Sequence, residues 1–132
     1  MPQKSNEYLV DTDILIEHLT FNSTDKDSYL ELLMQNGICF STVLSASELL
    51  FNADTYLEQE IILKLLSSLK ILGLHSRYSL LVPKYKSIVK NMKDALMCVV
   101  AYYNKLPIIT LNKNKYAGTK LKVYHPVDLK LM

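Results

Sequence analysis

Two periods of apolar residues run through the chain. Short apolar runs closed by polar or turn residues, such as Tyr8-Leu9-Val10 before Asp11, alternate with longer stretches whose apolar positions recur every three to four residues. The short runs predict strands over 7–10, 38–41, 71–74, 106–110 and 121–124. The longer stretches predict helices over 13–19, 28–34, 43–51, 55–68, 77–89 and 94–103. In the fourth of these, Leu57, Ile61, Leu65 and Leu69 form a single stripe. In the fifth, Pro83 kinks or breaks the helix. In the last, Leu96, Val99, Val100 and Tyr103 mark the buried side. Asn36-Gly37 reads as a helix C-cap, and Asn22-Ser23-Thr24-Asp25 as a turn. Strands alternating with helices predict an α/β fold in which a parallel sheet of about four to five strands is flanked on both faces by helices. No linker, repeat or low-complexity tract interrupts the pattern, so 1–132 reads as a single domain.

Composition narrows the picture without changing it. An apolar fraction of 49% and a charged fraction of 21% are those of an ordinary globular protein. The first seven residues contain no apolar core of a signal peptide, and no run approaches the ~20 residues that span a bilayer. The expectation is a cytoplasmic protein with no membrane segment. Cys39 and Cys98 lie in apolar runs without a metal-type partner, which suits buried free thiols. His18, His75 and His125 have neither metal-ligand nor triad spacing. Charge is uneven: residues 1–76 carry four lysines against eleven acids, and residues 77–132 carry eleven basic residues against Asp94 and Asp128. A basic half that attracts phosphate beside an acidic half that holds metal suits a polyanionic substrate.

Four polar positions stand where a parallel sheet would gather them. Asp11 follows the first strand, Glu48 lies on the helix after the second, Asp94 opens the helix before the fourth, and Asn112 follows that strand just past Thr110. Ligands collect at the carboxyl ends of parallel strands. Each position also has a structural explanation. Asp11 or Asp13 could cap the first helix, Ser45-Ala46-Ser47-Glu48 fits a capping box, Asp94 suits a first helical turn, and Asn112 a turn. Glu48, however, precedes Leu49-Leu50-Phe51 in an apolar helix, with no cation near it in sequence. Oxygen ligands around one Mg²⁺ or Mn²⁺ would satisfy all four, because such ions take a few carboxylates plus waters.

In these features the chain resembles the PIN-domain ribonucleases, in particular the VapC toxins of type II toxin–antitoxin systems. Leu9-Val10-Asp11-Thr12-Asp13-Ile14-Leu15-Ile16 is similar to the family's first motif and Ser41 to Leu50, with Glu48, to its second. Asp94-Ala95-Leu96 resembles the third motif, and Ile109-Thr110-Leu111-Asn112 the closing Thr–x–Asn/Asp element. The resemblance implies a PIN-like three-layer fold and metal-dependent hydrolysis of RNA. Asp11 and Asp94 would hold Mg²⁺ or Mn²⁺, with Glu48 and Asn112 ligating directly or through water. Thr110 would orient one of these groups, and Asp13 would support the site, as a cap in preference to a ligand. Lys90, Lys93, Lys113 and Lys115 are candidates for the RNA backbone. The family typically forms homodimers, and a cognate VapB-like antitoxin lays its C-terminal segment over the acids. Two departures reduce the negative charge: Asn112 stands for an aspartate, and Lys115 stands where an acid is common, with the aromatic Tyr116 after it.

Two other readings compete. A PIN-like scaffold that binds RNA or protein without catalysis suits Lys115 and Asn112. A Mg²⁺-dependent phosphohydrolase would use Asp11 as nucleophile and Asp13 as acid or base. For that class the chain is short and lacks a phosphate-binding lysine in the usual order.

Overall fold

The computed structural model describes residues 6–131; the stretch Met1–Ser5, read above for a leader, lies outside them. Five strands form one all-parallel sheet in the order β3-β2-β1-β4-β5. They are β1 (Asn6–Val10), β2 (Gly37–Thr42), β3 (Lys70–Leu72), β4 (Ile108–Ile109) and β5 (Val123–Tyr124). Six α-helices connect them: α1 (Thr12–Thr20), α2 (Tyr29–Asn36), α3 (Val43–Phe51), α4 (Tyr56–Leu66), α5 (Val82–Tyr85) and α6 (Met92–Asn104). The α/β class, the parallel sheet and its flanking helices agree with the sequence pattern. Among the described residues no helix is long and apolar enough to cross a membrane.

The two-residue alternation of strands divides the core. Tyr8, Val10 and Ile109 face a cluster built with α1 to α4, which includes Ile14, Leu15, Leu33 and Leu65. Leu9 and Ile108 face the opposite cluster, with Tyr85, Tyr116 and most of α6. Both faces of the central strands are therefore covered, as an all-parallel sheet requires. Cys39 and Cys98 are buried and unpaired, one on each face. Burial pushes both thiols up to about 12, so they serve as small apolar fillers.

Several local expectations change. Gly37 is the C-cap residue of α2, as expected, but its φ of 177° is extended and not left-handed, and it also opens β2. It is required by proximity, since a Cβ there would lie 2.3 Å from the Asn6 carbonyl oxygen. In α4 the buried positions are Ile62, Leu65 and Leu66, while Leu57 and Ile61 of the expected stripe are exposed. Segment 77–89 is not one helix. A 3-10 helix spans Ser76–Leu81, and α5 follows with Pro83 near its start, where the missing N–H costs nothing. Only Ile108–Ile109 of 106–110 and Val123–Tyr124 of 121–124 pair as strands. Helix α6 is buried on most sides, with Ala95 and Met97 to Ala101 all inside, and Tyr102 and Tyr103 half-exposed. Tyr103 stacks on Tyr78 at 5.0 Å, so the expected core role belongs to its neighbours.

Candidate active site

The sheet reverses direction between β1 and β4. From β1 the chain steps outward to β2 and β3, then returns to lay β4 on the other side of β1. Such a switch point opens a crevice beyond the strand ends. Val10 pairs with Ile109, and the Asp11 amide donates to the Ile109 carbonyl at 2.9 Å. Asp11 and Thr110 thus stand side by side at the mouth of that crevice.

Asp11 is fully buried, and its carboxylate is crowded with donors. Oδ1 accepts from the Thr12 amide at 2.9 Å, which makes Asp11 the N-cap of α1. Oδ2 accepts from Tyr116 Oη at 2.9 Å and from Thr110 Oγ1 at 3.1 Å, and lies 2.6 Å from Lys115 Nζ. A buried carboxylate needs such partners. The 3-10 helix Lys113–Tyr116, directly after β4, delivers both Lys115 and Tyr116.

Asp13 is not the cap that sequence suggested. It sits in the first turn of α1 and reaches across to β4, where Oδ2 accepts from Thr110 Oγ1 at 2.8 Å and from the Leu111 amide at 3.0 Å. Thr110 has one hydroxyl proton, so it serves Asp11 or Asp13 at any instant. Asp13 Oδ1 is buried with no hydrogen-bond partner among the described residues. Burial and then the charge of Asp11 lift the Asp13 carboxyl above its ordinary value; Thr110, Lys115 and the Leu111 amide oppose the lift. Asp94 is third, only 5% exposed. It does not cap α6, because Asn91 does, its Oδ1 accepting from the Asp94 amide at 2.8 Å. Burial raises the Asp94 carboxyl as well, and Asp11 adds to the rise while Lys115 and Lys93 oppose it.

Glu48 lies in the second turn of α3, not in a capping box; the α3 cap is Thr42, whose Oγ1 accepts from the Ser45 amide at 3.1 Å. The Glu48 side chain is 43% exposed and forms an ion pair with Lys93. Lys93 Nζ also donates to Thr12 Oγ1 at 2.8 Å, and Thr12 Oγ1 donates to Ser45 Oγ at 2.8 Å. This chain ties α1, α3 and α6 together beside the acids. Asn112 is exposed, and its side chain bonds to none of them; its contribution is a backbone N–H to Thr110 Oγ1 at 3.2 Å.

Of the four lysines considered for the RNA backbone, Lys93 and Lys115 neutralise acids of the site, and Lys113 pairs with Asp128 at 2.8 Å. Lys90 is exposed. The histidines do local work: His75 and His125 accept from backbone amides, and His18 Nδ1 lies 2.7 Å from Ser28 Oγ. Sequence reasoning missed Lys93 as the partner of Glu48 and Tyr116 as a donor to Asp11. The Tyr116 hydroxyl is raised by burial and by Asp11, so it stays a donor.

A cleft of about 670 Å³ opens beside the acids. Asp13, Glu48, Lys93 and Lys115 line its polar end, and Ile16 and Ile61 are among its apolar walls. Among the described residues no three acidic, histidine or cysteine side chains form a ready-made cage for a metal. The donors nevertheless suit a hard cation. An ammonium already stands against Asp11 as a stand-in ion, and a buried Asp13 oxygen has no partner.

The PIN domain family model matches residues 8–119. No curated protein matches the chain. Similar solved structures include a toxin–antitoxin complex from Klebsiella pneumoniae, 22% identical over 90% of this chain and 97% of that one, with a TM-score of 0.68. VapBC2 from Rickettsia felis, bound to a DNA fragment from its promoter, is 18% identical over 90% and 98%, with a TM-score of 0.73. VapBC-1 from nontypeable Haemophilus influenzae is 18% identical over 92% and 98%, also at 0.73. These structures share the fold, and the match across 8–119 gives the relationship: the chain belongs to the PIN domain family.

Proposed function

We propose that this chain is a metal-dependent endoribonuclease, a VapC-like toxin that hydrolyses RNA phosphodiester bonds and is neutralised by a cognate VapB-like antitoxin. The observation that carries the reading is that Asp11 and Asp13 both reach Thr110 at the switch point of a PIN fold, with the Lys115 ammonium 2.6 Å from Asp11 and the buried Asp94 within the field of both. The toxin–antitoxin complexes among the similar structures support the partner class. The same reading makes the protein a cytoplasmic homodimer.

Asp11 and Asp94 are the residues that would hold Mg²⁺ or Mn²⁺, with Glu48 and Asn112 reaching it directly or through water. Bound there, the ion supplies Lewis acidity, making water a better nucleophile near neutral pH and offsetting charge on the scissile phosphate. The chain does the positioning. The Thr12 amide and the Tyr116 hydroxyl fix the Asp11 carboxylate, and the Leu111 amide, with Thr110 when its proton turns that way, holds Asp13 against β4. The chain of Lys93, Thr12 and Ser45 sets the N-terminal turn of α6, and with it Asp94. RNA would approach through the cleft, whose lining includes Asp13 and Glu48, and an antitoxin segment would lie along its apolar wall.

Lys115 and Lys93, which neutralise part of the cluster, favour a second reading, a catalytically weak scaffold for RNA or protein. The phosphohydrolase reading has less support, because Asp11 is fully buried and both its oxygens are engaged. Purified protein incubated with RNA and Mg²⁺ or Mn²⁺ separates the readings. The expected result is cleavage that stops in EDTA and in Asp11→Asn. Cleavage surviving both treatments defeats the metal-nuclease reading, and a folded protein that cuts no RNA moves the assignment to the scaffold.

A further inference from the structure

We propose that Lys115 is a tethered competitor of the divalent cation: its ammonium occupies the cation position among the acids, and metal enters only as the side chain leaves. This inference rests on the metal-nuclease reading of the same site. Lys115 Nζ lies 2.6 Å from Asp11 Oδ2, and the charges of Asp13 and Asp94 bear on it as well. One ammonium is therefore in contact with Asp11 and within the field of Asp94, the two carboxylates that would hold the metal. Two like charges cannot share that space at contact distance without strong repulsion.

The side chain is also able to move. Its backbone is in the short 3-10 helix Lys113–Tyr116, and its side chain is 26% exposed, bordering the open cleft. Lysine has a flexible four-carbon stem, so its head can swing toward the cleft without disturbing the backbone. Tyr116, one residue on, is buried and keeps its hydrogen bond to Asp11 regardless. The lysine thus fills the site in the metal-free protein, offsets repulsion among the acids, and sets a threshold of metal concentration for loading. A free lysine head in the cleft also lies where a phosphate of bound RNA would be attracted to it.

Direct Mn²⁺ binding by chelator-stripped protein, followed by calorimetry and by the loss of free-ion EPR signal, tests this without any assay of cleavage. Lys115→Met keeps the length of the stem and removes the charge. It is expected to bind Mn²⁺ at least about tenfold more tightly than the wild type, the change that corresponds to one charge-assisted hydrogen bond. Lys115→Arg, which keeps the charge, is expected to remain close to the wild type. Should Lys115→Met not fold, the wild type answers alone through acetylation by acetic anhydride, read by peptide mass spectrometry. Saturating Mn²⁺ is expected to raise labelling of Lys115 several-fold and leave Lys113 unchanged. If Lys115→Met binds no more tightly, or labelling of Lys115 does not rise, the competition is wrong and the nuclease reading stands. If neither protein binds Mn²⁺, both fail together.

Discussion

At the scale of single residues, the site is a set of carboxylates held in an unfavourable place by specific donors. Tyr116→Phe removes one donor from the buried Asp11 while leaving shape almost unchanged. A hydrogen bond to a charged group contributes about 1.5–3 kcal/mol, so chemical denaturation is expected to show a loss of that order. Asp94 works in the opposite direction. Its carboxyl is raised, so the fold favours the neutral form, and the ionised form costs stability once the pH exceeds the raised value. Asp94→Asn is therefore expected to melt at a higher temperature than the metal-free wild type at neutral pH. The gap should close as the pH falls through the raised value, when Asp94 in the wild type takes up its proton; a gap independent of pH would count against this account. Asp11 was legible in the sequence because a polar residue that ends an apolar run between strand and helix stands both at a helix start and at a sheet end, and here it caps α1 while facing the crevice. The pairs Lys93–Glu48 and Tyr116–Asp11 were not, because residues 45 and 105 positions apart leave no periodic signature.

At the scale of elements, strands β1 and β2 followed from short apolar runs, and the extents of helices α1 to α4 from helical spacing of apolar residues. The later half was harder to read for physical reasons. Strands β4 and β5 pair over two residues each, too few for an alternation to show. Helix α6 is buried on most sides, so its apolar residues mark no single stripe. In α4, Leu57 and Ile61 have helical spacing with the core residues but face outward, because the inward face is set by Ile62, Leu65 and Leu66. Gly37 shows how a correct residue signal can carry the wrong meaning. It marks a boundary, but through the closeness of Asn6 and not through a left-handed helix end. Gly37→Ala is expected to cost about 1–3 kcal/mol, the range of overpacking, measured by urea denaturation. An unchanged midpoint would mean that β1 and β2 separate more easily than the register suggests.

At the scale of the whole molecule, the sheet order places every candidate acid and the cleft at one end of the switch point between β1 and β4. The cleft has a polar end lined by Asp13, Glu48, Lys93 and Lys115 and an apolar wall that includes Ile16 and Ile61, which the proposed antitoxin would cover. Ile61 is half-exposed on that wall, so Ile61→Glu is expected to leave the fold intact, as surface changes usually do. It should weaken antitoxin binding by at least about tenfold without abolishing RNA cleavage; equal loss of both would merge the two surfaces into one. The central claim is that the buried acids work through a divalent metal. It is tested most directly by titrating Mn²⁺ into chelator-stripped wild type and Asp94→Asn while following cleavage of a labelled RNA. The wild type is expected to show no cleavage without metal and a rate that saturates as Mn²⁺ rises. Asp94→Asn should need far more Mn²⁺ or stay inactive, a larger loss than the roughly 10–100-fold typical of an outer-shell partner. Full cleavage in the absence of metal, or superimposable titrations for the two proteins, would contradict the account.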